Sequence, residues 1–275
     1  MPDTVMINGV ERHMGLLPTP ASTIARMHRE GTLTFSHEHP VLKAARPRAD
    51  RVVSSCRHFF PKRKSQASTK MCVAFGSAHA MIGTFAKQGF GYVDICPASI
   101  YAPICGGRDQ GASGGDAFEA LRKHGCFLSG FQNIDDWDWR AAYRTKFWQN
   151  PESVVGEEAS KRILLEGIFC GDDVDTWLDG LESGQWAGTF CLGAGSNFDS
   201  DENGWLPSRG PTTGINHLLC ATGGIGKNPK TGEYGPEGLN SWSGWGDDQF
   251  FYCGENWLRV GNQELWLVRA TSIPA

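Results

Sequence analysis

The sequence predicts an α+β fold in which helices come first and strands follow. Between Met71 and Gln88, apolar residues recur at three- and four-residue steps, whereas the chain after Gly180 alternates and is broken by glycines. The 35 glycines and 14 prolines indicate many loops, and the ten tryptophans indicate a core packed with large aromatic rings. With 275 residues, 40% of them hydrophobic, the chain can bury the core of one large domain or of two packed lobes.

The first part of the chain, residues 1–55, is polar, interrupted by prolines and weakly periodic. This pattern predicts an N-terminal arm with one short helix at Ala21–Arg29, and we expect the arm to be an extension that adds little to the core. Beyond the arm, the chain is predicted to divide into a helical lobe over residues 56–150 and a β-rich lobe over residues 151–275.

Three further helices are predicted. The apolar steps in Met71–Gln88 are those of a buried helix, which places Cys72 at a helix N-terminus. A second helix is expected over Asp116–His124, where Ser113 or the glycines after it can supply the entry turn. A third is expected over residues 151–167.

Strands are predicted in four segments after Gly180, namely WAGTFCLGAG, INHLLCATGG, QFFYCGENWLRV and QELWLVRA. The segment Gly223–Pro229 (GGIGKNP) looks like a phosphate-binding loop. However, Ala221 stands where such a loop needs its first glycine, and Asn228 stands where it needs serine or threonine. We therefore expect a hairpin loop there.

Charge and hydropathy argue against several classes of partner. The 30 acidic and 26 basic residues are mixed along the chain, so nucleic acid is not expected as a partner. No apolar run approaches the length of about 18 residues that a membrane span needs, so no membrane insertion is expected. The first residues carry no apolar signal-peptide core, and the expected location at synthesis is the cytoplasm.

The nine cysteines form no CxxC pair, so most of them are predicted to be reduced thiols in the core. The segment His37-Glu38-His39 could offer two imidazoles to a metal but lacks a third ligand. We therefore expect neither a metal site nor a cofactor.

One set of residues has the pattern of nucleophilic catalysis. A thiol becomes a strong nucleophile as the thiolate, and the N-terminus of a helix stabilises that anion, so Cys72 is the candidate nucleophile. His217, in the strand-like INHLLCATGG, is the candidate base. The side-chain oxygen of Asn240 can accept a hydrogen bond from the imidazole N–H and so orient the ring. Gln66, six residues before Cys72, can donate its side-chain amide to the oxyanion of a tetrahedral intermediate.

These landmarks resemble those of the papain family of cysteine peptidases. The block Gln66-Ala-Ser-Thr-Lys-Met-Cys72-Val73-Ala74-Phe75 matches the family's glutamine, cysteine and Ala-Phe, with valine in an aromatic position. The family's NSWGxxWG block is matched by NSWSGWG at Asn240–Gly246, with one residue fewer between the tryptophans. The pair Asn216-His217 and the segment Ser113-Gly114-Gly115 resemble its Asn/Asp-His and NGG motifs, and together the landmarks cover roughly residues 56–275.

The resemblance implies a two-lobe fold, with the active-site cleft between a helical lobe and an antiparallel, β-barrel-like lobe. It also implies that Trp242 shields the Asn240–His217 hydrogen bond from water and that Gly114 and Gly115 pair with an extended peptide. The residues assigned to substrate binding on this basis are Gly114, Gly115, Asn216, Trp242 and Trp245.

The sequence departs from the family just before the nucleophile. Thr69 stands where the family usually has a cysteine, so the disulfide that braces this loop cannot form. Lys70 and Met71 replace two small residues, and we expect them to narrow the cleft.

Hydrolysis of peptide bonds through a Cys-His-Asn triad is the function that these residues predict. One alternative is a structural or adaptor subunit of a larger particle, such as a virion or phage tail, assembled through the N-terminal arm. Another keeps the chemistry but acts on cell-wall peptides, although the NSW block favours the peptidase.

Overall fold

Nine strands lie in the described residues, which are 4–43, 51–150, 164–259 and 263–272 of a computed structural model. The first two, β1 (Thr4–Ile7) and β2 (Val10–His13), form a hairpin around Asn8-Gly9. Both turn residues have positive φ angles, 51° and 75°, which the Asn-Gly pair of a two-residue hairpin turn favours.

The other seven strands form one sheet. In spatial order it comprises β3 (Thr34–Phe35), β4 (Leu164–Gly171), β9 (Leu265–Ser272), β5 (Ala187–Leu192), β6 (His217–Lys227), β7 (Tyr234–Leu239) and β8 (Phe250–Tyr252). The β3–β4 pair is parallel and the other pairs are antiparallel.

The helices of the described residues lie around this sheet. They are α1 (Ala21–Arg29), α2 (Pro40–Lys43), α3 (Cys72–Lys87), α4 (Pro97–Tyr101), α5 (Gly114–His124), α6 (Trp139–Thr145), α7 (Val174–Glu182) and α8 (Glu255–Leu258). In α3, every residue from Cys72 to Phe85 is buried, so this helix has no solvent-facing side over most of its length. A helix that is buried on all sides, as this one is even at Ser77, His79 and Thr84, belongs in the centre of a fold.

The sheet is buried on both faces, because successive residues of a strand point to opposite sides. In β5 and β6, Cys191 and Leu218 belong to a hydrophobic cluster with α3. Their neighbours Phe190 and Leu219 belong to a second cluster, which contains α7 and most of the buried tryptophans. The mixed α+β architecture therefore has two cores that share one sheet.

The N-terminal arm contributes to both cores, which corrects the expectation that it adds little to them. Met27 of α1 and Leu33 belong to the α3 cluster, and Ile7 and Met14 belong to the other. The predicted division of the chain into three segments, with boundaries after residues 55 and 150, stays a prediction. Each of the two cores takes side chains from more than one of these segments.

The predicted helices near Ala21, Met71 and Asp116 are confirmed as α1, α3 and α5. Ser113 caps α5, because its hydroxyl oxygen accepts a hydrogen bond of 3.1 Å from the Asp116 N–H. The predicted strands after Gly180 are confirmed as β5, β6, β8 and β9, although Glu255–Leu258 within the third segment is helical.

Two predictions differ from the structure, in segments whose leucines or glycines suit more than one kind of secondary structure. Residues 151–163 of the predicted third helix lie outside the described residues, but its end, residues 164–167, begins β4 and pairs with β9. The expected hairpin loop at Gly223–Pro229 starts later than predicted, because β6 continues to Lys227 and the turn that leads to β7 begins only at Asn228. The glycines of this strand leave room for side chains that pack on it, since a Cβ at Gly226 would lie 2.6 Å from the Tyr252 ring.

Candidate active site

The N-terminus of α3 places Cys72 against β6. The backbone N–H groups of Gly15, Val73, Leu218 and Cys72 itself point to the thiol and stabilise its anion. Burial has the larger effect and raises the pKa of the Cys72 thiol to about 11. In this arrangement the thiol is a protected, neutral group.

His217 begins β6, immediately before Leu218. Its Nε2 lies 2.9 Å from Asn240 Oδ1, and its Nδ1 is buried without a hydrogen-bond partner among the described residues. Asn240 Oδ1 also accepts a 2.7 Å hydrogen bond from the Ser241 N–H, which fixes the amide. Burial lowers the pKa of His217 to about 4, against the opposing effect of the Asn240 hydrogen bond.

Trp242 covers the histidine. Its ring lies parallel to the imidazole, with the ring centroids 4.3 Å apart, and it is itself buried. Phe198 packs edge-on against both rings and stacks on Trp245 at 4.8 Å. The Asn240–His217 hydrogen bond therefore lies beneath an aromatic cluster that keeps water away.

Gln66 is fully buried, and its side-chain amide is held at both ends. Its Oε1 accepts a 2.6 Å hydrogen bond from the Ser241 hydroxyl, while its Nε2 donates to Thr69 O (2.7 Å) and His13 O (3.2 Å). His13 belongs to the N-terminal arm. The amide that is the candidate oxyanion donor thus already binds a carbonyl oxygen of the same chain.

The arm continues through the site beside Cys72. The Leu16 N–H donates to Asn216 O (3.3 Å), and the Leu17 N–H donates to Ala112 O (2.9 Å). In return, the Ala112 N–H donates to Gly15 O (2.8 Å), so that Leu16 and Ala112 form a parallel bridge. The arm is bound here as an extended strand, through its main chain.

Gly15 passes so close to the loop before α3 that no other residue fits. A Cβ at this position would overlap the carbonyl oxygen of Lys70. On the opposite side, a Cβ at Gly111 would overlap the Gly15 carbonyl, and Gly111 also has a φ of +86°. The backbone of the arm at Gly15 therefore packs directly against the backbone of Lys70 and Gly111, beside the Cys72 thiol. The narrowing of the cleft that was expected at Lys70 comes from its backbone.

The structure brings Cys72, Gln66, His217 and Asn240 to one end of α3, where β6 and the Asn240–Trp242 loop meet it. Gly114 and Gly115 form the first turn of α5, and the main-chain pairing with the arm is made by Ala112. Asn216 presents its carbonyl to the arm, while its side chain bonds Ala194. Trp245 lies in the aromatic cluster and donates to Phe198 O.

Sequence reasoning missed Ala112 because an alanine carries no chemical signal of its own. The only local signal is the preceding residue, Gly111, because a glycine can adopt the positive φ angle that this turn of the backbone has. It also missed Glu264, whose buried carboxylate accepts hydrogen bonds from the backbone N–H and the hydroxyl of Thr19, because this acidic side chain lies in a strand-like segment with no motif around it.

All nine cysteines are free and seven of them are buried, which confirms the prediction of reduced core thiols. In the described residues, no group of three or more His, Cys, Asp and Glu side chains is arranged to hold a metal ion. The described helices also include none with the length and apolar character that crossing a membrane requires.

The pKa values predict how the thiol reacts with a small reagent. Because the pKa of Cys72 is about 11 and that of His217 is about 4, both side chains are neutral between those values. We expect the rate of Cys72 alkylation by iodoacetamide, followed by peptide mass spectrometry, to rise about tenfold per pH unit from about pH 7 to 9, as the thiolate fraction grows. A rate that is flat across this range, with glutathione as the reagent control, would show that the Cys72 thiol is already ionised at pH 7.

Solved structures of cysteine proteases share this architecture. Xylellain, a cysteine protease from Xylella fastidiosa, aligns with a TM-score of 0.63 and 16% identity, over 94% of this chain and 96% of that one. The ragweed pollen allergen Amb a 11, a cysteine protease in its proform, aligns with a TM-score of 0.63 and 16% identity, over 94% of this chain and 77% of that one. The chain has a papain-like fold.

The cysteine protease and lectin-like domains of Cwp84, a surface layer associated protein of Clostridium difficile, also align, with a TM-score of 0.63 and 14% identity. That match covers 83% of this chain and spans about half, 53%, of the Cwp84 chain. No family model matches the sequence, and no curated protein does either. The similarity to these three proteins is therefore a similarity of fold, at a sequence identity of 14–16%.

Proposed function

We propose that this chain is a cysteine peptidase that hydrolyses peptide bonds through Cys72, His217 and Asn240. The observation that carries the proposal is the buried Nδ1 of His217, which has no hydrogen-bond partner within the described residues, while the other ring nitrogen is held by Asn240. Buried polar atoms nearly always have partners, so an orphan calls for a function. The next residue, Leu218, hydrogen-bonds to the Cys72 thiol through its backbone, and we infer from this proximity that the thiol is the partner that Nδ1 takes during the reaction.

In the proposed reaction, His217 Nδ1 takes the thiol proton and the Cys72 sulfur bonds to the carbonyl carbon of the substrate. The carbon–nitrogen bond then breaks, and the imidazolium gives its proton to the leaving amine. Water attacks the resulting thioester, releases the acid product and restores the thiol. Asn240 keeps the imidazole in one orientation, and the Cys72 N–H and Gln66 amide are the proposed donors to the oxyanion.

The arm makes the described arrangement a latent form of this enzyme. Gln66 binds His13 O, Gly15 covers the thiol, and Leu16 and Leu17 use the backbone groups that an extended substrate would need. The likeness to Amb a 11 in its proform, which covers 94% of this chain, is consistent with such a state. A peptide can enter only when these residues leave.

The test is to locate the reactive cysteine. The full chain is incubated at neutral pH with a peptidyl vinyl sulfone, which forms a thioether with a nucleophilic thiol, and the modified peptide is identified by mass spectrometry. We expect modification at Cys72 and at none of the other eight cysteines, because the peptidyl part of the probe would bind beside Cys72 alone. Cys56, whose thiol is partly exposed and hydrogen-bonds to Lys87, is the sharpest internal comparison. The unfolded chain is the control, in which all nine should react.

The proposal fails if the label falls on another cysteine. It also fails if folded chain remains unlabelled even when the arm has been displaced by the Gly15→Ala substitution. The alternative of an adaptor subunit depended on the arm as an assembly element. Because the arm contacts the cleft of its own chain, its contacts support a role in controlling access to Cys72 instead. Incorporation into a virus or phage particle and hydrolysis of cell-wall peptides stay predictions.

A further inference from the structure

The backbone of the arm at Gly15 lies in a narrow slot between two other stretches of the chain. On one side is Lys70, whose carbonyl oxygen would overlap a Cβ at position 15. On the other side is Gly111, where a Cβ would overlap the Gly15 carbonyl oxygen. Gly15 also forms a backbone hydrogen bond to the Cys72 thiol, so the slot adjoins the nucleophile. The separation of the Lys70 and Gly111 backbones therefore decides what can lie beside that thiol.

A carboxylate and a hydroxyl group join the two walls of this slot. Asp109 Oδ1 accepts a 3.0 Å hydrogen bond from the Lys70 N–H and a 3.2 Å hydrogen bond from the Tyr101 hydroxyl. The Tyr101 hydroxyl oxygen accepts a 2.8 Å hydrogen bond from the Gly111 N–H. These three hydrogen bonds form a continuous chain from Lys70 to Gly111, which we call the Asp109–Tyr101 brace.

The brace is anchored in the core through Tyr101. This side chain is fully buried in α4, and its ring packs edge-on against Trp139 at a centroid distance of 6.3 Å. Burial, together with the negative charge of Asp109, raises the pKa of Tyr101, so the hydroxyl keeps its proton and donates it to the carboxylate. Asp109 lies in a loop that turns through Gly106 and Gly107, whose φ angles are +60° and +78°. The loop and the ring thus meet at a fixed point.

We propose that the brace keeps the two walls of the slot at the separation that an extended substrate backbone needs beside Cys72. Asp109 and Tyr101 are then positioning residues, which act through the backbone groups that they hold. The usual disulfide of the loop before the nucleophile cannot form, because Thr69 stands in place of the cysteine. The hydrogen bonds of the brace supply a restraint on the same loop. This inference deepens the proposed peptidase function and rests on it.

Loss of the brace has different consequences for large and small reagents. The N–H groups of Lys70 and Gly111 would lose these acceptors, and a buried backbone donor without a partner is unfavourable. Both walls would then shift toward new partners, and the slot would lose its fixed width. A peptide that binds through its main chain depends on that width, as the arm does now. A small reagent that needs only the thiol does not.

Two reagents test the proposal: a peptidyl vinyl sulfone, whose peptide part has to lie in the slot, and iodoacetamide, which has no peptide part. Both are applied to the full chain carrying Gly15→Ala, so that the arm is displaced. The readout is the ratio of their second-order rate constants at Cys72, vinyl sulfone over iodoacetamide. We expect Tyr101→Phe and Asp109→Ala each to lower this ratio about tenfold, the effect of leaving one buried donor unpaired.

Two further variants separate the brace from other effects of these residues. Asp109→Asn keeps an acceptor oxygen at the same position and removes the charge, so it should retain the ratio of the chain that carries Gly15→Ala alone. Tyr143→Phe is the matched control for Tyr101→Phe, because Tyr143 packs on the same loop but lies outside the brace. A Cβ at Gly107 would lie 3.2 Å from its hydroxyl oxygen. We expect this variant to leave the ratio unchanged.

The inference is overturned if the ratio stays unchanged in either Tyr101→Phe or folded Asp109→Ala, or if Tyr143→Phe lowers it equally. It is also overturned if Asp109→Asn lowers the ratio as much as Asp109→Ala, since the charge would then matter and the hydrogen bonds would not. In these cases Cys72 still reacts with the vinyl sulfone, and the peptidase proposal stands. If the vinyl sulfone labels Cys72 in none of the chains, including Gly15→Ala alone, both proposals fail. Tyr101→Phe removes a single oxygen atom and decides the outcome should Asp109→Ala not fold.

Discussion

A Gly15→Ala chain is expected to react with a peptidyl vinyl sulfone at Cys72 roughly ten to a hundred times faster than the parent chain. The added methyl group would overlap the Lys70 carbonyl oxygen, and neither main-chain segment can rotate away as a side chain could. Overpacking of this kind costs about 1–3 kcal/mol, and here the cost falls on the arm-bound state alone. The equilibrium should therefore shift toward an open cleft, in proportion to that energy.

The measurement is the second-order rate constant of Cys72 labelling in the intact, folded protein. Gly83→Ala is the control, because it places a methyl group 2.6 Å from the Phe60 ring, in the second half of α3 and three turns from Cys72. A similar acceleration in Gly83→Ala would indicate general loosening of the fold. No acceleration in Gly15→Ala would mean that the arm does not limit access to the thiol.

Replacing Phe198 by alanine should lower the free energy of unfolding by about 3–5 kcal/mol, the range for truncating a buried phenylalanine. Phe198 is fully buried and contacts five rings at centroid distances of 4.8–6.2 Å, those of His217, Trp242, Trp245, Phe251 and Trp257. The cavity left behind would also free Trp242 from one side. We therefore expect the imidazole to lose part of its aromatic cover as well.

Urea denaturation followed by tryptophan fluorescence measures this loss. Phe90→Ala is the matched control, since Phe90 is 47% exposed and an exposed truncation usually changes stability by less than about 0.5 kcal/mol. Equal losses in the two variants would show that the aromatic cluster around His217 does not stabilise the fold more than a surface ring does.

The helix that carries Cys72 could be predicted because its signal is local. Apolar residues at three- and four-residue steps define α3, and the position of Cys72 at its start follows from the same short segment. The predicted partners of Cys72 were reached differently, through short segments around Gln66, His217 and Asn240 that resemble a known family. The structure places these segments at one end of α3, and the His217–Asn240 hydrogen bond joins residues 23 positions apart.

The failures have a different physical origin. The part of the arm that crosses the site, Gly15–Leu17, lacks periodicity, and it is held by main-chain groups of Ala112 and Asn216, about a hundred or more positions away. Main-chain hydrogen bonds leave no trace in side-chain identity, so no pattern could indicate them. The glycines of β6 were misread as a turn for a related reason, because their lack of side chains serves packing against Tyr252 and other neighbours.

The sequence by itself determined the class of fold, the helix that begins at Cys72 and the set of residues expected to do chemistry. These depend on contacts within a few residues or on compact motifs. Only the tertiary structure decided that the arm lies across the thiol and that Thr19 holds a buried carboxylate at Glu264. The reason is physical: these contacts depend on shape and on backbone hydrogen bonds between distant segments, which exist only after the chain has folded.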